Sequence, residues 1–131
     1  MLFRKSTEYA ISIVLFLAED GGDRYIRIKE ISERYNISVF KLQKAAQKLI
    51  KSEILDSYTG PNGGIKLAKR PSGIRLIDIV RAMGEKDISD TCVLGIGSCG
   101  EENPCTLHNQ MKQIKEDIII MYKKKTIDEL L

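Results

Sequence analysis

The sequence predicts a mainly α-helical fold with a small β-hairpin wing: a winged helix-turn-helix followed by a long C-terminal dimerisation helix. Three observations carry that expectation. A short helical pattern marked by Ile28, Ile31 and Tyr35 stops at Asn36, and Ser38 opens another helix after the tightest of turns. The turn-rich run Gly60-Pro61-Asn62-Gly63-Gly64 separates two β-prone stretches. Near the end, Leu107, Met111, Ile114, Ile118 and Met121 alternate steps of four and three, the seam of a helix that packs on another helix.

With 131 residues, 43% of them hydrophobic and 30% charged, the chain has room for one core and the balance of a folded protein. Its longest apolar stretch, residues 10–18, is half a bilayer span and contains Ser12, which argues against a transmembrane role. Arg4 and Lys5 imitate a signal peptide, but Glu8 and the lack of a small-residue cleavage site after Ala18 oppose that, so a cytoplasmic protein with no membrane partner is expected. Charge is uneven. Residues 1–70 hold 13 Lys/Arg against 8 Asp/Glu, and residues 71–131 hold 8 against 10. A basic N-terminal part is compatible with a nucleic-acid surface there.

The first helix is expected to be capped by Ser6 and to run to about Ala18, with Ile11, Val14, Leu15 and Ala18 at helical spacing. Gly21-Gly22-Asp23 ends it, and residues 25–27 form a short extended link. Asn36 tolerates the left-handed conformation that closes the second helix. In the third helix Leu42, Ala45, Ala46, Leu49 and Ile50 form one buried stripe. Lys41, Lys44, Lys48 and Lys51 line the opposite side, with Gln43 and Gln47 beside them. On an isolated helix this is a solvated lysine face; as the second helix of a helix-turn-helix it would meet a major groove.

Residues 54–59 and 65–69 read as the two strands of the wing. The glycines between them lack the Gly-Lys-Ser/Thr ending of a phosphate-binding loop and lead into a strand, which excludes nucleotide binding. Pro71-Ser72-Gly73 then precedes a short helix marked by Leu76, Ile77, Val80 and Met83. From Gly84 to Pro104 there is no apolar period, and a loop of that length implies a task of its own. Asn103 and Pro104 suit the start of a last helix at about Cys105, and Thr126-x-x-Glu129 suits a capping box for a terminal turn. Packing of two copies through the last helix is the expectation; folding back on its own domain is the alternative. The chain thus divides into 1–83, a winged helix-turn-helix; 84–105, a cysteine-containing loop; and 106–131, the dimerisation helix and terminal turn.

All three cysteines lie in that loop, an odd and clustered set that argues against a disulfide framework. Cys92, Cys99, Cys105 and His108 form C-x6-C-x5-C-x2-H, and the step from Cys105 to His108 sends a thiolate and an imidazole to one side of a helical turn. Structural zinc favours tighter cysteine pairs. Wide intervals in a glycine-rich loop suit a bulkier iron-sulfur cluster, with zinc and a purely thiol-based sensor as alternatives. No acid pair or nucleophile arrangement at a readable spacing suggests an enzyme.

These residues resemble those of the Rrf-type winged-helix transcription regulators: Tyr9-Ala10, the turn through Ser38 and Leu42, the wing Gly60-Pro61-x-Gly63-Gly64, the helix Leu76-x-Asp78-Ile79-Val80-x-Ala82, and the spaced cysteines. The resemblance covers essentially the whole chain and is strongest to the IscR-like branch, which keeps three cysteines followed by a histidine. It implies a homodimer whose last helices cross, a double-stranded DNA operator bound by the third helix and the wing, and a cluster near the dimer interface. On that reading Ser38, Lys41, Gln43, Lys44 and Lys48 face DNA, as do Thr59, Asn62 and Gly63 of the wing. Thr59 replaces a residue that is basic in IscR-like proteins, and Gln43 replaces a frequent glutamate, so the preferred bases change from cytosine toward adenine. The first cysteine interval is also one residue longer.

The resemblance leaves two candidates for the fourth ligand. His108 corresponds to the IscR-like ligand and implies a 2Fe-2S cluster; Glu8, reached from the other subunit as in related nitric-oxide sensors, implies a 4Fe-4S cluster. His108 and a 2Fe-2S cluster are the expectation. The function expected is therefore a regulator, with repression as its mode, that senses cluster status, redox state or nitric oxide. A thiol- or zinc-dependent winged-helix regulator, or a small redox protein that does not bind DNA, is the alternative.

Overall fold

The computed structural model describes residues 3–86, 92, 94 and 105–131. Helix α1 (Lys5–Phe16) continues into a wider π-type turn over Leu17–Gly21, and Gly22 ends it with a φ of 54°. Its Ala10, Ile13, Val14 and Leu17 recur at i, i+3, i+4 and i+7 and are all buried. The helix begins earlier than the Ser6 cap implied. Arg4 holds the N-cap place and Ser6 lies inside the first turn, because a distant side chain supplies the cap: the Arg4 N–H donates to Glu85 Oε1 at 2.9 Å.

Helix α2 (Ile28–Tyr35) ends at Asn36, which adopts the left-handed conformation expected of it, φ 54° and ψ 48°. Helix α3 (Val39–Lys51) starts three residues on. The turn between them is tied by the Ile37 N–H donating to the Ser32 carbonyl at 3.2 Å and the Ser32 hydroxyl donating to the Ile37 carbonyl at 2.5 Å. Ser38 stands at the N-cap of α3, yet its hydroxyl makes no capping bond; its carbonyl accepts from the Leu42 N–H at 3.1 Å. Leu42, Ala45, Ala46 and Leu49 of α3 pack against α1 and form the centre of the core.

The wing consists of β1 (Leu55–Tyr58) and β2 (Gly64–Leu67), antiparallel, with Leu55 opposite Leu67 and Tyr58 opposite Gly64. The first strand is shorter than its β-prone stretch by one residue at each end, and the second starts one residue earlier, at Gly64, and ends two residues short, at Leu67. A third segment joins them at one rung: the Ile26 and Ile65 backbones exchange two hydrogen bonds of 2.8 Å, so the extended link between α1 and α2 clamps the wing to the helices. Gly63 is required inside the tip, since a Cβ there would collide with the carbonyl oxygen of Tyr58.

A 3-10 turn over Pro71–Gly73 leads to α4 (Leu76–Ala82), whose first turn is closed by the Arg75 N–H donating to Asp78 Oδ2 at 2.9 Å. Helix α5 (His108–Lys124) starts three residues later than Cys105; Asn103 and Pro104 lie outside the described residues. After α5 the chain returns to the base of α4. The Leu76 N–H donates to the Lys125 carbonyl and the Ile127 N–H to the Ile74 carbonyl, at 2.9 and 2.8 Å, and Ile127 is fully buried in the same core as α1 and α3. Such burial contributes roughly 1.5–3 kcal/mol. The capping box expected at Thr126 does not form: its hydroxyl bonds the carboxylates of Asp128 and Glu129 instead of a backbone N–H.

Helix α5 packs on α4 with Lys115 and Tyr122 inward, and Phe3 stacks on Tyr122 with ring centroids 5.3 Å apart. Burial pushes the Tyr122 phenol above its ordinary pKa, and its oxygen has no hydrogen-bond partner among the described residues. The apolar seam read from the sequence is only partly covered. Met111 and Ile118 are half-buried, whereas Ile114 and Met121 remain 49% and 45% exposed.

Candidate functional site

The outer face of α3 carries Lys41, Gln43, Lys44, Gln47, Lys48 and Lys51, all exposed and all opposite the buried stripe. None of the four lysines takes part in an ion pair among the described residues. Ser38 is exposed at the N-terminal end of this face, and its uncommitted hydroxyl is a donor that can reach a phosphate. The helix is held at its base by α1 and at its start by the locked Asn36 turn, so the cations occupy a rigid frame.

At the wing, Thr59 and Asn62 are exposed, and Asn62 has a left-handed φ of 62° at the tip. Gly63 is buried: its bareness serves the turn itself, with the neighbouring tip residues presented outward. Sequence reasoning passed over two aromatic features. Tyr25 and Tyr58 pack together at the tip end of the strand pair, ring centroids 5.7 Å apart, with Lys66 Nζ 4.9 Å from the Tyr25 ring. Phe40 projects from the first turn of α3 with Lys44 Nζ 4.6 Å from its ring. The signal for Phe40 lay in its phase, since it falls outside the i, i+3, i+4 series of the buried stripe.

Of the cysteine set, Cys92 is buried and Cys105 half-buried, and Cys99 lies outside the described residues. Cys105 and His108 occupy one turn, the His108 N–H donating to the Cys105 carbonyl at 3.0 Å, and the imidazole Nε2 is buried. Among the described residues no group of three or more His, Cys, Asp or Glu side chains assembles as a metal site. The donor chemistry nonetheless fits a thiophilic centre: soft sulfur, partly withdrawn from water, with an imidazole one turn away. Glu8 sits on the first turn of α1 in an ion pair with Lys5, Oε2 to Nζ 3.1 Å, a position that also complements the helix dipole.

Among the described residues no helix is long and apolar enough to cross a membrane. Comparison with known proteins places the chain. It is 32% identical to an HTH-type transcriptional regulator of Aquifex aeolicus, over the whole chain and 92% of that protein. It is 30% identical to the HTH-type transcriptional regulator NsrR of Oceanobacillus iheyensis, over the whole chain and 90% of that protein. The fold matches that of CymR, the global cysteine regulator of B. subtilis, with a TM-score of 0.83 at 22% identity over 99% of this chain and 95% of that one. Residues 3–131 match the Rrf2 family, described as iron-dependent transcriptional regulators. With relatives that are DNA-directed regulators rather than enzymes, this chain belongs to the Rrf2 family of transcriptional regulators.

Proposed function

We propose that the protein acts as a homodimer on an operator in double-stranded DNA and that an iron-sulfur cluster held by Cys92, Cys99, Cys105 and His108 sets its affinity. The observation that carries the DNA contact is the exposed face of α3, where four lysines and two glutamines stand opposite the core on the second helix of a helix-turn-helix. Lys41, Lys44 and Lys48 neutralise phosphates, Gln43 reads a base edge, and the hydroxyl of Ser38 anchors the helix start. Thr59 and Asn62 approach the backbone from the wing. The exposed Ile114 and Met121 of α5 support the dimer, because an aliphatic row left in water beside a packed face needs a partner.

When bound, a cluster supplies a centre that oxidants, nitric oxide or iron loss can destroy. Two contacts flanking the cysteine segment support coupling between such a centre and the fold. The cysteine segment is bracketed by Glu85, tied to the start of α1, and by His108, the first residue of α5. Order in that segment therefore bears on both the helix that supports α3 and the helix that joins two copies. A 2Fe-2S cluster with His108 as fourth ligand is favoured by the shared turn of Cys105 and His108; Glu8 of the partner subunit with a 4Fe-4S cluster is the competing arrangement.

Anaerobic purification tests the reading. The expected outcome is brown protein with visible absorption, stoichiometric iron and sulfide, and a salt-sensitive affinity for promoter DNA that differs between loaded and apo forms. Colourless protein with stoichiometric zinc would overturn the cofactor while leaving DNA binding intact. Absence of salt-sensitive DNA binding in both forms would overturn the regulator's proposed contact surface. Substituting His108→Ala should alter the visible spectrum if it is the ligand, and substituting Glu8→Ala should do so if the acid is.

A further inference from the structure

We propose that Phe40 reads sequence by closing on the C5-methyl group of a thymine in the major groove. The inference rests on the DNA-binding reading above and names a base contact within it. Phe40 is 63% exposed on the first turn of α3. At ~100° per residue it lies about 180° from Leu49, so it stands in the middle of the outer face and not at its edge. Gln43, Lys44 and Gln47 surround it, and the Lys44 ammonium sits 4.6 Å from the ring centroid, which steadies the ring in this outward position.

Among the described residues Phe40 is left largely open to solvent, and the chemistry of its surroundings selects what can cover it. A second copy of the chain meeting it face to face would crowd eight lysines together, whereas a polyanion neutralises them. Within the duplex, the base edges of the major groove offer hydrogen-bonding groups and one apolar projection, the thymine methyl. A phenyl ring carried into the groove between phosphate-bound lysines thus finds its complement only at thymine. The neighbouring lysines account for affinity; Phe40 adds preference at one base step in each half-site, beside the base edge that Gln43 reads.

The test uses the full chain, prepared anaerobically and as apoprotein, and duplexes that the parent selects from a randomised pool. Each thymine of a selected duplex is replaced in turn by deoxyuridine, which differs only by the missing methyl. Burial of one methyl group corresponds to about a fourfold change in affinity. The parent should lose about that factor at one thymine per half-site in an anisotropy titration. Phe40→Ala should bind thymine and deoxyuridine there equally, with its salt dependence unchanged, and Phe40→Leu should keep part of the preference. Circular dichroism checks that the exposed substitution leaves the fold intact. If Phe40→Ala retains the parent's preference at every thymine, or the parent shows none, the proposal is overturned while DNA binding stands. If the parent selects no duplex and binds none in a salt-dependent way, the underlying DNA reading fails first and takes this contact with it.

Discussion

Glu85, just beyond α4, caps the first helix of the chain through Thr7: its Oε1 accepts from the buried Thr7 hydroxyl at 2.5 Å and from the Arg4 N–H at 2.9 Å. The Arg4 guanidinium completes the clasp by donating to the Met83 carbonyl at 2.9 Å. The Glu85 side chain is only 11% exposed. Burial alone would raise its pKa, but the hydrogen bonds from Thr7 and Arg4 outweigh it and hold the carboxyl below its ordinary value.

A carboxyl with a lowered folded-state pKa stabilises the fold above the unfolded pKa, ~4.3, and that contribution disappears as pH falls through the lower folded value. Glu85→Gln should therefore cost about 1–2 kcal/mol at pH 7, the scale of a lost charged cap. Urea denaturation of parent and variant at pH 7 and below pH 4 checks this. The two curves should converge in acid; a gap that stays constant with pH would deny the carboxylate its role.

The wing tip has its own weak point. Gly63→Ala forces a methyl group against the Tyr58 carbonyl within the turn, and relief requires the hairpin to open. A loss of about 1–3 kcal/mol is expected, the usual cost of overpacking a closed site. Thermal unfolding measures it, and DNA affinity should fall in step because Thr59 and Asn62 are carried by the same turn. Full affinity in the variant would show that the wing does not touch DNA.

Lysine contacts to phosphate leave a signature in salt. Lys48→Ala should weaken binding to all duplexes alike and reduce the slope of log affinity against log salt by about 0.9 per protomer. Gln43→Ala should instead relax the preference at one base pair and leave the slope unchanged. Paired titrations over a salt series distinguish the two, and an unchanged slope for Lys48→Ala would remove that lysine from the phosphate set.

On α5, Met121→Glu places a charge on the exposed aliphatic row without touching the buried Tyr122 face. Light scattering should find a monomer with the parent's helical content, and operator affinity should drop by a factor on the order of 100, since two linked half-site contacts become one. A variant that remains dimeric would move the subunit interface elsewhere.

The α3 pattern was legible because it is local: helical phase alone separates Leu42, Ala45, Ala46 and Leu49 from Lys41, Lys44 and Lys48, and the structure buries the first set while exposing the second. Asn36 was legible for the same reason, as a backbone preference of a single residue. Phe40 carried the same phase signal, but an aromatic residue beside Val39 and Leu42 invites assignment to the core, and only the position of α1 shows which side is covered. The helix seam behaved differently again. Its period was visible, yet the period does not say whether α4 or a second chain takes each side, and Tyr122 and Ile127 turn out to fill the chain's own core.

Composition and periodicity by themselves determined the helices, the hairpin, the cationic face and the grouping of the three cysteines in one stretch of sequence, because each follows from neighbours within a short span of the chain. Tertiary structure alone settled that Glu85 replaces Ser6 as the cap of α1, that Ile26 locks the wing to the helices, and that the tail returns to seal the core through Ile127. These contacts join residues dozens of positions apart, and their partners are chosen by where the packed helices bring backbone and side chains together, which no local pattern encodes.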